Sequence, residues 1–291
     1  MLPDLKRTLR DVTKSLLPRS LFYGVVRPAV RIIFSLIYGR RGYKIDIGGQ
    51  GEFRMSPDLA FRGLERFGDR HNWAFARCID SCKGESLFLD IGAHVGLYSL
   101  PASRALAVGG RVFAFEPSRG SYDYLIKNVA YNGFTNIETY NLVVADSESP
   151  GVPFYEHTDP DSALSGLTMS TKVSEERYVL TQVPQVSLDS FCDENHVAPD
   201  VIKIDTEGSE LFVLKGARTV LARSRPLIYL SVHPSHLRSL GQSTEEVVAL
   251  LSELGYEIND KSGGTVTSLG FGEYICVPEK PRRTPLPTDG S

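Results

Sequence analysis

From residue 72 onward, apolar runs of strand length alternate along the chain with stretches whose apolar residues recur at helical spacing. This alternation predicts a doubly wound α/β sheet. Continuous apolar runs, such as that at residues 201–204, suit central parallel strands covered on both faces. The predicted strands are residues 86–91, 111–116, 137–145, 201–205, 227–232 and 274–278. The predicted crossover helices are residues 97–108, 120–132, 209–223 and 243–254.

Two stretches depart from this order. Residues 147–188 are interrupted by prolines and glycines, and their short alternating pieces predict small extra strands or loops that can shape a substrate pocket. The proline-rich, polar tail at residues 279–291 is predicted to be disordered. We therefore expect one core domain over residues 46–278, preceded by a helical extension over residues 1–45.

The N-terminal extension is apolar and basic at once. Residues 21–38 are mostly apolar, but Arg27, Pro28 and Arg31 interrupt them, and each guanidinium costs about 2.5 to 3.5 kcal/mol at the centre of a spanning helix. A spanning helix is therefore not expected. Residues 1–41 carry nine Lys or Arg against two Asp, a charge of +7, which leaves −10 for the rest of a chain whose net charge is −3.

Two interpretations of this extension stay open. Its two predicted helices, residues 5–17 and 21–38, either pack against the core domain or make peripheral membrane contact through residues 1–41. A basic end on an acidic body favours an anionic surface. No nucleic acid partner is expected, because the basic residues do not interleave with an aromatic-rich sheet or a known binding module.

Overall composition is that of an ordinary globular protein, with 42% hydrophobic and 23% charged residues. The four cysteines include no C-x-x-C pair, and we expect reduced thiols in a reducing compartment. No N-terminal stretch has the shape of a cleavable signal. The expected location is cytoplasmic, with peripheral membrane association as the open alternative.

The first chemical motif is Asp90-x-Gly92-x-x-x-Gly96, where an apolar strand ends and a helix begins. Glycines there allow a tight turn and close approach of backbone to a ligand, and the following helix start offers free N–H groups. Ala93 and His94 complete the loop. Because His94 occupies the place of a middle glycine, the dinucleotide fingerprint G-x-G-x-x-G is not satisfied, which argues against NAD or FAD. A purely structural turn is the alternative.

The second motif is Glu116-Pro117 at the end of the next predicted strand, 24 residues beyond Gly92. An acid at that strand end can accept hydrogen bonds from both ribose hydroxyls of a nucleoside. A solvated strand-end glutamate is the alternative. Loop and acid together, in this order and spacing, predict a nucleoside cofactor.

The third motif, IKIDTEGSE at residues 202–210, ends a central strand in acids. Ligands of open α/β sheets bind beyond the carboxyl ends of the strands, so Asp205 and Glu207 should face the reaction side. Glu210 is interpreted as a first-turn acid favoured by the helix dipole. Mg²⁺ held by Asp205 and Glu207 is a less favoured alternative, because two carboxylates two residues apart are not a dedicated site.

The fourth candidate is His233, at the end of the following predicted strand. An imidazole at that rim lies in the pKa range suited to general base catalysis. A strand-end histidine that merely satisfies its hydrogen bonds is the alternative. His236, three residues on, is expected on a surface helix or loop.

These residues resemble the FkbM-type methyltransferase family. The segments that carry the resemblance are FLDIGAHVGLYSL, FAFEPS, KNVAYNG, VSLDSF and IKIDTEGSELFVLKGA, within residues 85–258. The resemblance implies a Rossmann-like class I methyltransferase fold, with a seven-stranded, mostly parallel sheet and helices on both faces. It also implies S-adenosylmethionine as methyl donor and, commonly, a hydroxyl of a sugar or polyketide-like acceptor.

By the same resemblance Asp90, Gly92 and Gly96 form the cofactor loop, Glu116 holds the ribose, and Ala145 and Asp146 lie near the adenine. Family members often carry Glu two residues before the final histidine of the fifth strand, whereas this chain has Ser231. That departure leaves open the role of His233 and any metal site around it.

The resulting hypothesis is methyl transfer to a small-molecule, glycan or glycolipid acceptor. His233 or Asp205 would remove the hydroxyl proton, and Glu207 would orient the acceptor. The alternatives are a non-catalytic nucleoside-binding protein of the same fold and, less favoured because of the broken dinucleotide loop, an NAD-dependent oxidoreductase.

Overall fold

The computed structural model describes residues 27–59, 63–69, 72–159, 162–169 and 174–279. The predicted helix at residues 5–17, the first part of the 21–38 segment and nearly all of the predicted disordered tail lie outside the described residues. So do most of the basic positions on which the membrane interpretation depends.

Nine α-helices and twelve strands are present in the described ranges. The helices are α1 (Arg27–Tyr38), α2 (Phe75–Ser81), α3 (Ser99–Ala105), α4 (Arg119–Asn132), α5 (Leu188–Glu194), α6 (Glu210–Lys215), α7 (Arg218–Ser224), α8 (Pro234–Ser239) and α9 (Thr244–Glu253). The strands are β1 (Tyr43–Asp46), β2 (Glu52–Met55), β3 (Leu87–Ile91), β4 (Arg111–Phe115), β5 (Ile137–Tyr140), β6 (Val143–Ala145), β7 (Ser149–His157), β8 (Tyr178–Ser187), β9 (Val201–Ile204), β10 (Leu227–Val232), β11 (Tyr256–Asn259) and β12 (Gly272–Pro278).

A seven-stranded sheet in the order β11-β12-β10-β9-β3-β4-β5 forms the centre of the fold. Its strands run parallel except β12, which is antiparallel to both neighbours. This confirms the predicted mostly parallel sheet.

Both faces of the sheet are apolar because its strands alternate between two cores. In β3, Phe88 joins one core with residues of α2, α3 and α4, whereas Leu87, Leu89 and Ile91 join the other with residues of α5, α6 and α9. Strands covered on both sides need apolar residues at successive positions. That requirement explains the unbroken apolar runs in the sequence.

The chain reverses its direction of travel across the sheet between β3 and β9. From β3 it proceeds to β4 and β5, and it returns to lay β9 and β10 on the other side of β3. A crevice opens at the carboxyl ends of the strands where such an order reverses. The loops that follow β3 and β9 carry the first and third sequence motifs into this crevice.

The predicted strand at residues 137–145 was wrong as a single element. β5 belongs to the main sheet, but β6 pairs with β8 in a separate three-stranded sheet of order β6-β8-β7. Asn141, between them, donates hydrogen bonds of 2.9 Å to the carbonyls of Glu116 and Pro117 and so fixes the chain where it leaves the sheet. The long β7–β8 hairpin provides the extra strands expected in residues 147–188.

The predicted helix at residues 209–223 is also two helices, α6 and α7. They separate at Gly216, where a Cβ atom would lie 1.9 Å from the carbonyl oxygen of Ala145 in β6. The close approach of a neighbouring strand therefore breaks the helix. The predicted helix at residues 97–108 is shorter, and α2, α5, α8, β1, β2 and β11 were not among the predicted elements.

Helix α1 packs on the domain through one side only. Phe34 and Tyr38 pack against the first core, and the rings of Phe34 and Tyr43 lie 6.2 Å apart. Ile32, Ile33, Leu36 and Ile37 stay between 52% and 82% exposed. Of the helices in the described ranges, none has the length and apolar character needed to cross a membrane. All four cysteines are free and buried.

Candidate active site

A cavity of about 570 Å³ occupies the crevice at the switch in strand order. Many predicted site residues line it: Gly92, Ala93, His94, Glu116, Pro117, Asp205, Glu207 and His233. The structure thus brings the loop after β3, the end of β4, the end of β9 and the end of β10 to one space. Its size is within the range of small-molecule sites.

Position 92 needs a glycine because the end of the neighbouring strand β9 leaves no room for a side chain. Its φ is 80°, and a Cβ atom would lie 1.9 Å from the carbonyl oxygen of Asp205 at the end of β9. The N–H groups of Gly92 and Ala93 both donate to the carbonyl of Phe115 at 2.9 Å. The loop is therefore held between β9 and β4. Gly96, at φ 93°, lies against Leu125 and serves packing of the following helix rather than the cavity wall.

Glu116 is buried, with 7% of its surface exposed, and still borders the cavity. One carboxylate oxygen accepts the His94 N–H at 2.7 Å and the other accepts the Ser118 N–H at 2.8 Å. Burial raises the pKa of Glu116 to about 7, although the two backbone hydrogen bonds act in the opposite direction. Each oxygen carries two lone pairs and can accept a further hydroxyl.

Asp90 lies behind the cavity wall, fully buried, and not in it. Ser99 donates to its Oδ2 at 2.5 Å, and Lys203 Nζ lies 3.3 Å from its Oδ1. Lys203 also donates to the Gly92 carbonyl at 2.6 Å. Burial lowers the pKa of Lys203, but the charges of Asp90 and Asp205 outweigh it and raise the pKa. Asp90 and Lys203 thus join the ends of β3 and β9.

The structure does not bring Ala145 and Asp146 to the cavity. Ala145 is buried in β6 and Asp146 is exposed beyond it, because β6 leaves the main sheet for the hairpin sheet. Leu142, Val143 and Val144 line the cavity at this point instead.

Asp205, Glu207 and His233 form a cluster, which we call the acidic rim, at the other end of the cavity. His233 Nε2 lies 3.5 Å from Glu207 Oε2 and 3.9 Å from Asp205 Oδ1. Asp205 Oδ2 lies 3.9 Å from Lys203 Nζ. Glu207 has a left-handed backbone, φ 52°, which a non-glycine residue adopts only where its surroundings impose it. His236 Nδ1 lies 3.4 Å from Glu207 Oε2.

Glu210 holds His233 in place. This fully buried carboxylate accepts a hydrogen bond from His233 Nδ1 at 2.8 Å and from the Gly208 N–H at 2.9 Å. The bond at Nδ1 leaves Nε2 as the nitrogen that faces Asp205 and Glu207. Glu210 does begin α6, as expected of a first-turn acid, but its contacts give it a second role in the site.

His233 is surrounded by negative charge. Burial lowers the pKa of its imidazole, but the hydrogen bond with Glu210 and the nearby carboxylate charges outweigh burial and raise the pKa to about 9.

Glu273, at the start of β12, is a further buried acid on the cavity wall. It accepts hydrogen bonds from the Ala74 N–H at 2.8 Å and from the Tyr98 hydroxyl at 3.1 Å. Burial raises the pKa of Glu273 to about 7. Glu273 on β12 pairs with Ser231 on β10. The neighbouring strand therefore supplies a glutamate beside the position where β10 has Ser231.

No role was predicted from the sequence for Lys203, Tyr98 or Glu273, and Glu210 was assigned one only at the start of its helix. The sequence did contain a signal for Lys203, because a lysine within an apolar strand needs a buried partner for its charge. Glu210 is part of the IKIDTEGSE motif, but its partner, His233, is 23 residues away. Glu273 lies in no motif, and only the order of strands in the sheet places it near the crevice.

The seven-stranded, mostly parallel sheet with helices on both faces is that of the class I methyltransferase fold. The family model described as "Methyltransferase FkbM domain" matches residues 90–258, more than half of the chain. The chain belongs to the FkbM methyltransferase family, as its motifs predicted.

The individual relatives have low sequence identity to this chain. The hexuronic acid methyltransferase AglP of Haloferax volcanii is 28% identical over 177 residues, which cover 60% of this chain and 65% of AglP. The matched region thus spans 65%, less than two thirds, of that relative's length. Methyltransferase FkbM from Methylobacillus flagellatus is 17% identical, with 88% of this chain and 60% of that chain covered and a TM-score of 0.41. An S-adenosylmethionine-dependent O-methyltransferase from Thermotoga maritima is 11% identical, with 72% and 66% covered and a TM-score of 0.40.

Proposed function

We propose that this methyltransferase transfers a methyl group from S-adenosylmethionine to a hydroxyl oxygen of a sugar or glycan acceptor. The observation that supports this proposal is a single cavity whose two ends are lined by residues of different chemistry. Glu116, after β4, borders one end, and the acidic rim, after β9 and β10, borders the other, with the loop at Gly92 to His94 after β3 between them. A donor and an acceptor bound at these ends would meet between β3 and β9.

The first end fits the nucleoside part of the donor. Glu116 offers two carboxylate oxygens to a ribose diol, and each can accept a hydroxyl besides the backbone N–H it already holds. Phe115, Pro117, Leu142 and Val144 give this part of the wall an apolar surface on which an adenine ring can lie. When bound, S-adenosylmethionine supplies an electrophilic methyl carbon on a sulfonium.

The acidic rim fits the acceptor. In the reaction an acceptor oxygen forms the new O–CH₃ bond as the S–CH₃ bond breaks, and its proton must pass to the protein. Asp205 or His233 takes this proton, and Glu207 orients the acceptor hydroxyl. Asp205 can accept it directly, and His233 can do so after its own proton has left.

A sugar is favoured over a polyketide-like acceptor by one comparison. AglP, whose name states that it methylates a hexuronic acid, is 28% identical to this chain over 177 residues. The buried and half-buried carboxylates around the rim are hydrogen-bond acceptors of the kind that hold sugar hydroxyls. The acceptor is thus proposed to present several hydroxyls to this rim.

Methyl-labelled S-adenosylmethionine and a panel of defined acceptors test the reaction. The panel contains methyl glycosides, free hexuronic acids and a hydroxylated macrolactone. We expect label in a glycoside or hexuronic acid, in a form that resists mild alkali, because an ether survives alkali and a methyl ester does not. Label that alkali releases as methanol would contradict hydroxyl methylation, and label in the macrolactone alone would contradict the sugar assignment.

Alanine variants test the acidic rim. We expect His233→Ala or Asp205→Ala to lower kcat by about 10² to 10⁴ at saturating acceptor, the usual contribution of general base catalysis. His196→Asn removes an exposed imidazole outside the cavity and keeps a residue type that tolerates its left-handed backbone, so it serves as the control. The assignment is wrong if both alanine variants turn over at the wild-type rate.

A further inference from the structure

The three side chains of the acidic rim surround a common point. Their ligand-type atoms, one from each of Asp205, Glu207 and His233, all lie within 4.8 Å of one another. The two distances to His233 Nε2, 3.5 and 3.9 Å, exceed those of a direct N–H···O hydrogen bond. Ligands that share one divalent cation at about 2.1 Å lie about 3.0 Å apart when adjacent and about 4.2 Å apart when opposite. The observed spacing is of this kind.

The histidine is already oriented as a metal ligand. Histidines that bind metals donate their other ring N–H to a carboxylate or carbonyl, which fixes the ring and the tautomer. Here Nδ1 is bonded to Glu210 at 2.8 Å, and Nε2 faces the two carboxylates. The His233 side chain is 11% exposed and that of Glu210 is fully buried, so this orientation is set inside the protein.

The local charge also favours a cation. Asp205, Glu207 and Glu210 place three carboxylates around one imidazole. Among the described residues Lys203 approaches Asp205, at 3.9 Å, but it lies closer to the buried Asp90, at 3.3 Å. The side chains of Asp205 and Glu207 are 26% and 24% exposed toward the cavity, so an ion can reach them.

We propose that Asp205, Glu207 and His233 bind a divalent cation, with Glu210 as the positioning residue for His233. Two carboxylates and one imidazole suit a cation that accepts mixed oxygen and nitrogen donors, such as Mn²⁺. Three protein ligands leave coordination positions open. The sequence alone disfavoured a metal site, because it suggested only Asp205 and Glu207 as ligands. The structure adds His233 as the third ligand.

The cation has a role that rests on the proposed function. An acceptor hydroxyl that binds to a divalent cation loses its proton more readily, because the cation stabilises the alkoxide. Two neighbouring oxygens of a sugar can occupy two open positions and thereby fix which oxygen faces the methyl donor. Asp205 would ligate through Oδ1, the oxygen that faces His233, and keep Oδ2, the oxygen that faces Lys203, to receive the proton.

Mn²⁺ binding tests the site without any turnover. The full chain is treated with EDTA, transferred to metal-free buffer and titrated with Mn²⁺, while the electron paramagnetic resonance signal reports free Mn²⁺. We expect one saturable Mn²⁺ per chain. Glu207→Gln and His233→Asn should each weaken binding by tenfold or more, and Glu210→Gln by about 10- to 100-fold. His196→Asn should bind Mn²⁺ as the wild type does.

Binding of S-adenosylhomocysteine to each variant shows that the fold is intact, because Glu116 lies at the other end of the cavity. Absence of saturable Mn²⁺ binding, or unchanged affinity in Glu207→Gln and His233→Asn, would overturn the cation site. Methyl transfer that survives EDTA would overturn its role in the reaction and leave the proposed function standing. Saturable Mn²⁺ binding in a chain that transfers no methyl group would overturn the proposed function and leave the site.

Discussion

At the scale of single residues, Glu116 shows how burial and function interact. Its carboxyl is buried, and burial raises its pKa to about 7. As pH falls through about 7 the carboxylate gains a proton and becomes a weaker acceptor for ribose hydroxyls. Donor affinity should therefore be highest above pH 7 and decrease below it.

We expect the affinity for S-adenosylhomocysteine, measured by calorimetry between pH 5.5 and 8, to decrease toward acid in the wild type. Glu116→Gln should bind about 10- to 100-fold more weakly at pH 8, since hydrogen bonds to a charged group are lost, and should show little pH dependence. Glu138→Gln, at an exposed position on β5, is the control. An unchanged pH profile in Glu116→Gln would refute this role.

Gly92 gives a second residue-scale prediction. Gly92→Ala places a Cβ atom against the Asp205 carbonyl at 1.9 Å, whereas Gly109, at a similar φ of 85°, has nothing within 4 Å. Gly109→Ala should cost about 1 to 2 kcal/mol of unfolding free energy for its left-handed backbone alone. Gly92→Ala should cost at least about 1 kcal/mol more, because of overpacking. Equal losses in urea unfolding would show that the strand end does not constrain the loop.

The sequence predicted site candidates that can be located from the end of a single strand. Both Asp90 and Glu116 were predicted near neighbouring strand ends, but Glu116 borders the cavity whereas Asp90 lies behind its wall. Glu210 and Glu273 could not be predicted in the same way, because their partners, His233 and Ala74, come near only after the sheet has formed.

At the scale of elements, apolar alternation predicted the main sheet, since buried strands need apolar residues on both faces. The breaks at Asn141 and Gly216 were not predictable by this route. Each depends on a tertiary contact, with the Glu116 and Pro117 carbonyls in one case and with Ala145 in the other. Local pattern determines where apolar segments lie, and packing determines where they end.

Helix α1 leaves a prediction at this scale. Its exposed apolar face and the basic charge of residues 1–41 are expected to bind an anionic lipid surface. The full chain should float with phosphatidylglycerol vesicles and not with phosphatidylcholine vesicles. Leu36→Asp should weaken this binding about tenfold or more, because a Leu side chain no longer inserts. Val108→Asp, at another exposed apolar position, is the control. Equal binding by both variants would exclude α1 as the contact.

At the scale of the whole molecule, the reversal of strand order brings together four segments that are far apart in sequence. The loop after β3, Glu116, the end of β9 and His233 share one cavity for this reason. A binding protein of the same fold would keep the Glu116 end. By the proposed mechanism, methyl transfer needs the acidic rim as well.

The central claim is that the protein transfers a methyl group between a donor and an acceptor bound in this cavity. Labelling of a cell extract tests this claim most directly. The chain is incubated with methyl-labelled S-adenosylmethionine and extract, and products are identified by mass spectrometry. We predict label in a glycan or sugar compound with the wild type, and labelling slower by about 10² to 10⁴ with Asp205→Ala, although both bind S-adenosylhomocysteine equally. Binding of S-adenosylhomocysteine without any labelled product would contradict the claim and favour a non-catalytic nucleoside-binding protein.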